Sequence, residues 1–198
     1  MTIVGITGPT GAGKSIVCRL LTDWDRISII DCDKVARQVV RRGERCLLDL
    51  AVEFSSAIID EDGELNRKKL AAIVFHDPAK LRRMGEIMYP HILARIGRSL
   101  IRREKRGDRA VFLDAPTLYQ SGADALCQQV VAVLAPPEDR LRRIMKRDRL
   151  TEEEAGARMA SQPGDDFFLS RVDHVIFNTG RMTTLRLDVL ELQNKLGL

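Results

Sequence analysis

The chain has 198 residues, 44% of them hydrophobic, which is enough to bury a real core within one domain that carries a subdomain or lid. A balance of 32 Lys and Arg against 28 Asp and Glu leaves a formal charge of only +4, and the 5% of aromatic residues form no RNP-like pattern. Composition therefore does not mark a nucleic-acid binder, whereas mild positive charge suits phosphorylated small molecules. No uncharged apolar run approaches the ~18 residues of a membrane span, and "MTIVGITG" lacks the basic and apolar regions of a secretory signal, so a soluble, cytoplasmic protein is expected.

Thr2 to Thr7 read as a short apolar strand that runs into the glycine-rich stretch "GITGPTGAGKS". Gly8, Gly13, Lys14 and Ser15 fill every fixed position of G-x-x-x-x-G-K-[ST], a match expected by chance on the order of once in ten thousand start positions. The loop follows a strand and opens a helix with Ile16, Val17, Leu20 and Leu21 at helical spacing in "KSIVCRLLTDW", the context that distinguishes a phosphate loop from a structural glycine turn. Backbone N–H groups of Gly11, Ala12, Gly13, Lys14, Ser15 and Ile16 are the candidate phosphate cradle, because glycines let the chain approach without Cβ clashes and a helix N-terminus favours anions. Lys14 would neutralise charge on the β- and γ-phosphates, and the Ser15 hydroxyl would ligate Mg²⁺. No NKxD signal for guanine is present, which favours ATP over GTP.

"ISIIDCD" reads as the second strand, with Asp31 and Asp33 at its carboxyl end. In an extended segment the two carboxylates point to the same side, where ligands bind in open α/β sheets. Asp33 is then a candidate for holding an attacking hydroxyl in line with the γ-phosphoryl group; its alternative role is to cap the helix starting near Lys34. Residues 34–108 show no strand signal and carry helical patterns such as "NRKKLAAIVF" and "PHILARIGRSLIRREKR", so they are expected to form a helical insertion with a second binding surface. "DEDG" marks a turn within it, and "HDP" a helix break with Asp77 capping the next helix.

"RAVFLDAP", "QVVAVLAP" and "DHVIFN" read as three further strands. Asp114, at the end of "VFLD", is either a Walker-B-like group reaching Mg²⁺ through water or a strand-end turn residue. Residues 137–170 form a second helical excursion, expected as a lid. Its first half gathers Arg140, Arg142, Arg143, Lys146, Arg147 and Arg149, and Thr151 with Glu154 has the spacing of a capping box that starts a new helix. Arg143 and Arg147, four apart, share a helix face and can serve one anionic site. The basic run from Arg95 to Arg109 lacks such context and reads as solvated surface, although Arg102 or Arg106 is a possible phosphate contact. His76, His91 and His174 are scattered, and Cys18, Cys32, Cys46 and Cys127 form no CxxC pair, so the cysteines read as reduced, small apolar residues rather than metal ligands.

"GITGPTGAGKS", "DCDKVAR", "DAPTLYQSG", "RLRRIMKRDRLTEEEAGARMASQ" and "VIFNTG", in this order and at these separations, resemble the dephospho-CoA kinase family. The resemblance spans essentially the whole chain. It implies an α/β, P-loop NTPase-type three-layer fold over residues 1–198, with a five-stranded parallel sheet, a helical substrate-binding insertion at 34–108 and a helical lid at 137–170. It also implies ATP-dependent, Mg²⁺-assisted phosphorylation of the 3′-hydroxyl of dephospho-CoA. Asp33 matches the family's catalytic aspartate, with Arg37 behind it; Arg147 matches the lid arginine, Arg158 and Gln162 an R-x-x-x-Q pattern, and Asn178 a position near the adenine of ATP.

Two departures lie where the acceptor would be gripped. Tyr89 precedes Pro90 where the family commonly has His, with His91 one residue past it, and Gln120 replaces an acid in "PTLYQ". Two other readings stay open: another P-loop kinase of nucleosides, nucleotides or sugars, and a nonenzymatic nucleotide-responsive binder. A monomer or weak homo-oligomer is expected, with no nucleic-acid or membrane partner.

Overall fold

The computed structural model describes residues 1–22 and 24–198. In chain order it contains β1 (Thr2–Thr7), α1 (Lys14–Thr22), β2 (Ile27–Asp31), α2 (Cys32–Gln38), α3 (Arg45–Glu53), α4 (Arg67–Val74), α5 (Pro78–Arg106), β3 (Ala110–Asp114), β4 (Gln129–Leu134), α6 (Pro137–Asp148), α7 (Glu152–Ala160), α8 (Asp165–Leu169), β5 (His174–Phe177) and α9 (Met182–Lys195). The five expected strands form one sheet in the order β2-β3-β1-β4-β5, with β1 parallel to β3 and β4, and β4 parallel to β5. The helix expected through "KSIVCRLLTDW" ends at Thr22, and Asp23 lies outside the described residues.

The chain separates into two compact units, residues 1–30 with 103–198, and residues 31–102. In the first, β1, β3 and β4 are covered on both faces, which is why they read as continuous apolar runs rather than alternating ones. Val4, Ile6, Phe112, Val131 and Val133 pack against Val17 and Leu21 of α1 and Leu185, Val189 and Leu192 of α9. The opposite face puts Ala132 and Leu134 against Phe168 of α8. After β1 the chain crosses to β2 on one side of the sheet, and after β3 to β4 on the other. The adjacent ends of β1 and β3, where Ile6 pairs with Asp114, are thus the topological switch point at which open α/β sheets bind ligands.

The edge strand β2 is tied down by charge. Ser28 Oγ donates to Asp108 Oδ2 at 2.6 Å and accepts from Arg103 Nε at 2.9 Å, while Arg103 Nη2 reaches the Ile29 carbonyl at 3.2 Å. Arg106, a possible phosphate contact from sequence, instead forks onto Asp108 at 2.8 and 2.7 Å. Asp108 is buried, and these bonds, Arg106 foremost, hold its carboxyl below the usual carboxylate range.

The second unit corrects one expectation about the aspartate pair. Cys32 and Asp33 are not strand residues: the chain turns helical at Cys32, and the Asp31 carboxylate caps α2 by accepting Lys34 N–H at 2.8 Å. Asp31, not Asp33, is therefore the cap, and Asp33 occupies the exposed first turn. Asn66 caps α4, and Asp77 caps α5 through Ala79 N–H at 2.9 Å, as "HDP" suggested. "DEDG" is a turn closed by Gly63 N–H on the Asp60 carbonyl at 2.8 Å. The 29-residue α5 runs straight through Pro90, whose missing N–H leaves one internal bond unmade.

Asp108→Asn removes a buried charge whose folded pKa lies below its unfolded value, so its contribution is present at neutral pH and fades as pH falls through the folded value. The variant's urea midpoint is expected below wild type at pH 7, with the gap closing as the buffer is taken below about pH 4. Paired urea titrations across that range check it.

Candidate active site

Strand β1 delivers the chain into a loop whose glycines are sterically required. Gly8, Gly11 and Gly13 have φ of +132°, +77° and +100°. A Cβ at Gly8 would run into the Val133 carbonyl oxygen, and one at Gly13 into the Asn178 amide. Ser15 and Ile16, in the first turn of α1, are exposed. Lys14 curls its ammonium over the loop, donating to the Gly8 carbonyl at 2.6 Å and the Pro9 carbonyl at 3.4 Å.

Groups from far along the chain brace this loop from behind. Asn178, after β5, is buried; its Nδ2 donates to the Ala12 carbonyl at 2.8 Å and its Oδ1 accepts Gly180 N–H at 3.0 Å. Arg143 Nη1 donates to the carbonyls of Gly11 at 3.1 Å and Ala12 at 3.3 Å. Both residues were expected at a nucleotide site, and both donate to the backbone of the glycine loop.

Thr10 is held at three atoms. Its N–H donates to Gln162 Oε1 at 2.8 Å, its carbonyl accepts from Arg140 Nε at 3.1 Å, and its hydroxyl lies 3.4 Å from Arg147 Nη2. Arg140 is only 5% exposed, with Asp165 at 3.4 Å as its counter-ion, and burial lowers its pKa. Arg147 meanwhile forks onto Asp148 at 2.9 and 2.8 Å, which raises the pKa of its guanidinium. The expected capping box is present, with Thr151 N–H donating to Glu154 Oε2 at 2.8 Å and Glu154 N–H to Thr151 Oγ1 at 3.3 Å.

Beside Asn178 opens a cavity of about 440 Å³ lined by Asp139, Arg142, Arg143, Lys146 and Thr179 to Arg181. Its four cationic side chains against one carboxylate suit an anion-bearing ligand next to the loop. Sequence reasoning counted Arg140 only as one of a basic run and missed its burial, the tethered Thr10 and the cavity residues Asp139 and Arg181. Within the same unit Asp114 ends β3 at the register position of Ile6, one residue short of the end of β1. Gln120 is exposed, while its neighbour Tyr119 is anchored by a 2.8 Å bond to the Arg171 carbonyl and an edge contact with Phe167.

The second unit carries the other expected residues. Asp33 and Arg37 are both exposed on α2. Tyr89 lies over Gly85 one turn earlier on α5, close enough that a Cβ there would sit 2.8 Å from the ring, and burial raises the phenol pKa. His91 hydrogen-bonds Asp49 at 3.0 Å, and Arg95 pairs with Glu44 at 2.7 Å. His76 is exposed, and in the first unit His174 bonds Gln129 at 2.7 Å. Among the described residues no group of three or more His, Cys, Asp or Glu is placed to hold a metal ion, and no helix is long and apolar enough to cross a membrane.

A glycine cradle opening a helix at the switch point of a five-stranded parallel sheet, with a lysine over it and arginines behind it, defines a P-loop NTPase-type fold. Comparison with known proteins narrows the class. The family model for dephospho-CoA kinase matches residues 2–184, and the chain belongs to that family. A dephospho-CoA kinase from Listeria innocua is 36% identical over 187 residues, covering 94% of this chain and 93% of its own length. Its counterpart from Bacillus cereus is 35% identical over 190 residues, 95% of this chain and 94% of its own. Among solved structures, TT1252 from Thermus thermophilus superposes with a TM-score of 0.83 at 31% identity, covering 98% of this chain and 97% of its own.

Asn178→Ala removes the 2.8 Å donor to the Ala12 carbonyl, leaving it the Arg143 bond at 3.3 Å, and takes the acceptor from Gly180 N–H, at a cost of about 1–3 kcal/mol. A melting temperature lowered by roughly 2–10 °C is expected in a thermal scan.

Proposed function

We propose that this protein transfers the γ-phosphoryl group of ATP to the 3′-hydroxyl of dephospho-CoA, giving coenzyme A and ADP. The observation that carries the reading is an intact phosphate loop in a chain whose family match runs from residue 2 to residue 184. In this reading residues 34–108 bind the acceptor, residues 137–170 act as the lid, and the enzyme works in the cytoplasm as a monomer or weak oligomer.

Phosphoryl transfer through a loose transition state asks for positioning and charge neutralisation more than for covalent chemistry. Gly11 to Ile16 hold the phosphates with backbone N–H groups. The Lys14 ammonium leaves the Gly8 and Pro9 carbonyls and donates to the β- and γ-phosphate oxygens instead. Asp33 orients the ribose hydroxyl and accepts its proton as the oxygen bonds to phosphorus and the bond to ADP breaks. Arg147 stabilises the charge that spreads over the transferring group. The exposed Ser15 hydroxyl at the head of α1, with Asp114 at the end of β3, is a hard-oxygen donor set that fits Mg²⁺, and the ion when bound neutralises charge on the β- and γ-oxygens.

A coupled assay with Mg-ATP and dephospho-CoA, with the phosphorylated position mapped by mass spectrometry, tests the reading. Nucleosides and gluconate serve as competing acceptors. Product at the 3′-position from dephospho-CoA alone is expected; folded protein that yields none overturns it. Asp33→Asn is expected to lower kcat by about a hundredfold or more while ATP affinity stays within a few-fold of wild type. Normal turnover in that variant removes Asp33 from the transfer step.

A further inference from the structure

Asp148, the last residue of α6, is the meeting point of two guanidinium groups. Arg147 engages it as a fork, Nε to Oδ1 at 2.9 Å and Nη2 to Oδ2 at 2.8 Å. Arg158, on α7, donates its Nη1 to the same Oδ2 at 2.7 Å. Backbone geometry brings them together. Arg149, at φ +56°, takes the left-handed conformation that ends α6, and the Thr151–Glu154 box then starts α7, whose last turn carries Arg158 back to Asp148.

The charge balance explains why one carboxylate sits at this point. Two adjacent guanidinium groups repel each other, and a single negative charge between them leaves the cluster at a net +1 while fixing the plane of Arg147. The carboxylate is 24% exposed, against 57% for Arg147 and 47% for Arg158, so the anion is the sheltered member and the cations face outward. Hydrogen bonding from Arg147 keeps the Asp148 carboxyl below the usual carboxylate range, so it remains charged across the neutral region. The fork occupies the Nε and Nη2 side of Arg147 and leaves the Nη1 donors to a ligand, and Nη2 itself lies 3.4 Å from the Thr10 hydroxyl of the phosphate loop.

We propose that Asp148 is a positioning residue for phosphoryl transfer, holding Arg147 beside Thr10 and Arg158 on the same carboxylate so that both guanidinium groups meet the transferring phosphoryl group together. The inference rests on the kinase reading above and assigns Asp148 a role through the arginines, with no contact of its own to substrate. A tie that served only to fasten α6 to α7 would change stability, and would change turnover by the same factor whether or not Arg147 were present.

The test is a double-mutant cycle on the full chain: wild type, Asp148→Asn, Arg147→Ala and the double variant, each assayed for kcat and for KM of ATP with dephospho-CoA as acceptor. Asp148→Asn is expected to lower kcat by about tenfold or more with KM for ATP within about threefold. In the Arg147→Ala background the same change is expected to cost less than about threefold, because the group through which Asp148 acts is already gone. Asp148→Glu, which keeps the charge on a longer arm, is expected to show the same pattern with a smaller loss and replaces Asp148→Asn in the cycle if thermal scans show the latter unfolded. Equal losses in both backgrounds, or normal kcat in a folded Asp148→Asn, overturn the positioning role while leaving the kinase reading intact. A wild type that makes no product overturns both.

Discussion

A loop that offers its N–H groups to phosphate must turn its carbonyl groups the other way, and those acceptors need donors of their own. That constraint organises the first unit. The Gly11 and Ala12 carbonyls take Arg143, Ala12 also takes Asn178, the Thr10 carbonyl takes Arg140, and Gly8 and Pro9 take Lys14. Each donor comes from a residue whose helix or strand must be in place first, so α6 and the turn after β5 are as much a part of the phosphate loop as its glycines. The cost of leaving such acceptors unmet in a buried setting is what holds segments more than a hundred residues apart to one geometry.

Sheet order supplies the second layer of the arrangement. Because β1 lies between β3 and β4, the loop after β1 emerges beside the end of β3, and Asp114 is carried to the same edge as the start of α1. Burial on both faces stabilises these central strands, while the edge strand β2, whose Ile27 and Ile29 pack against the same core, is further tied by the Ser28, Arg103, Arg106 and Asp108 network. Apolar packing thus sets where the loop begins, and polar satisfaction sets its shape.

The strands and the phosphate loop were legible in the sequence because their signals are local: doubly buried runs such as "VFLD" and "VVAVL", and a spaced glycine pattern. The capping box at Thr151 and the cap at Asp77 were legible for the same reason. The aspartate pair was half legible. Spacing placed two carboxylates at a strand end, but the side chain of Asp31 competes for Lys34 N–H and starts the helix one residue before Asp33. The helical pattern legible from Pro90 onward is only the later part of α5, which has already run three turns before that proline. The support of Thr10 by Arg140 and Gln162 had no local signal, since the partners are 130 and 152 residues away in sequence. Family resemblance drew Gln162 out as a position and said nothing of what it holds.

The buried Arg140 carries a mechanical consequence. Its guanidinium is seated between the Thr10 carbonyl and Asp165, so swinging the base of α6 away from the loop would strand a nearly inaccessible cation and two acceptors. The first turn of α6 is thereby rigidly coupled to the loop, and Gln162 and Asp165, beyond the left-handed residue Arg149, are tied back to Thr10 and Arg140. Most of the ordering entropy of the phosphate cradle is consequently spent when the chain folds rather than when a nucleotide arrives.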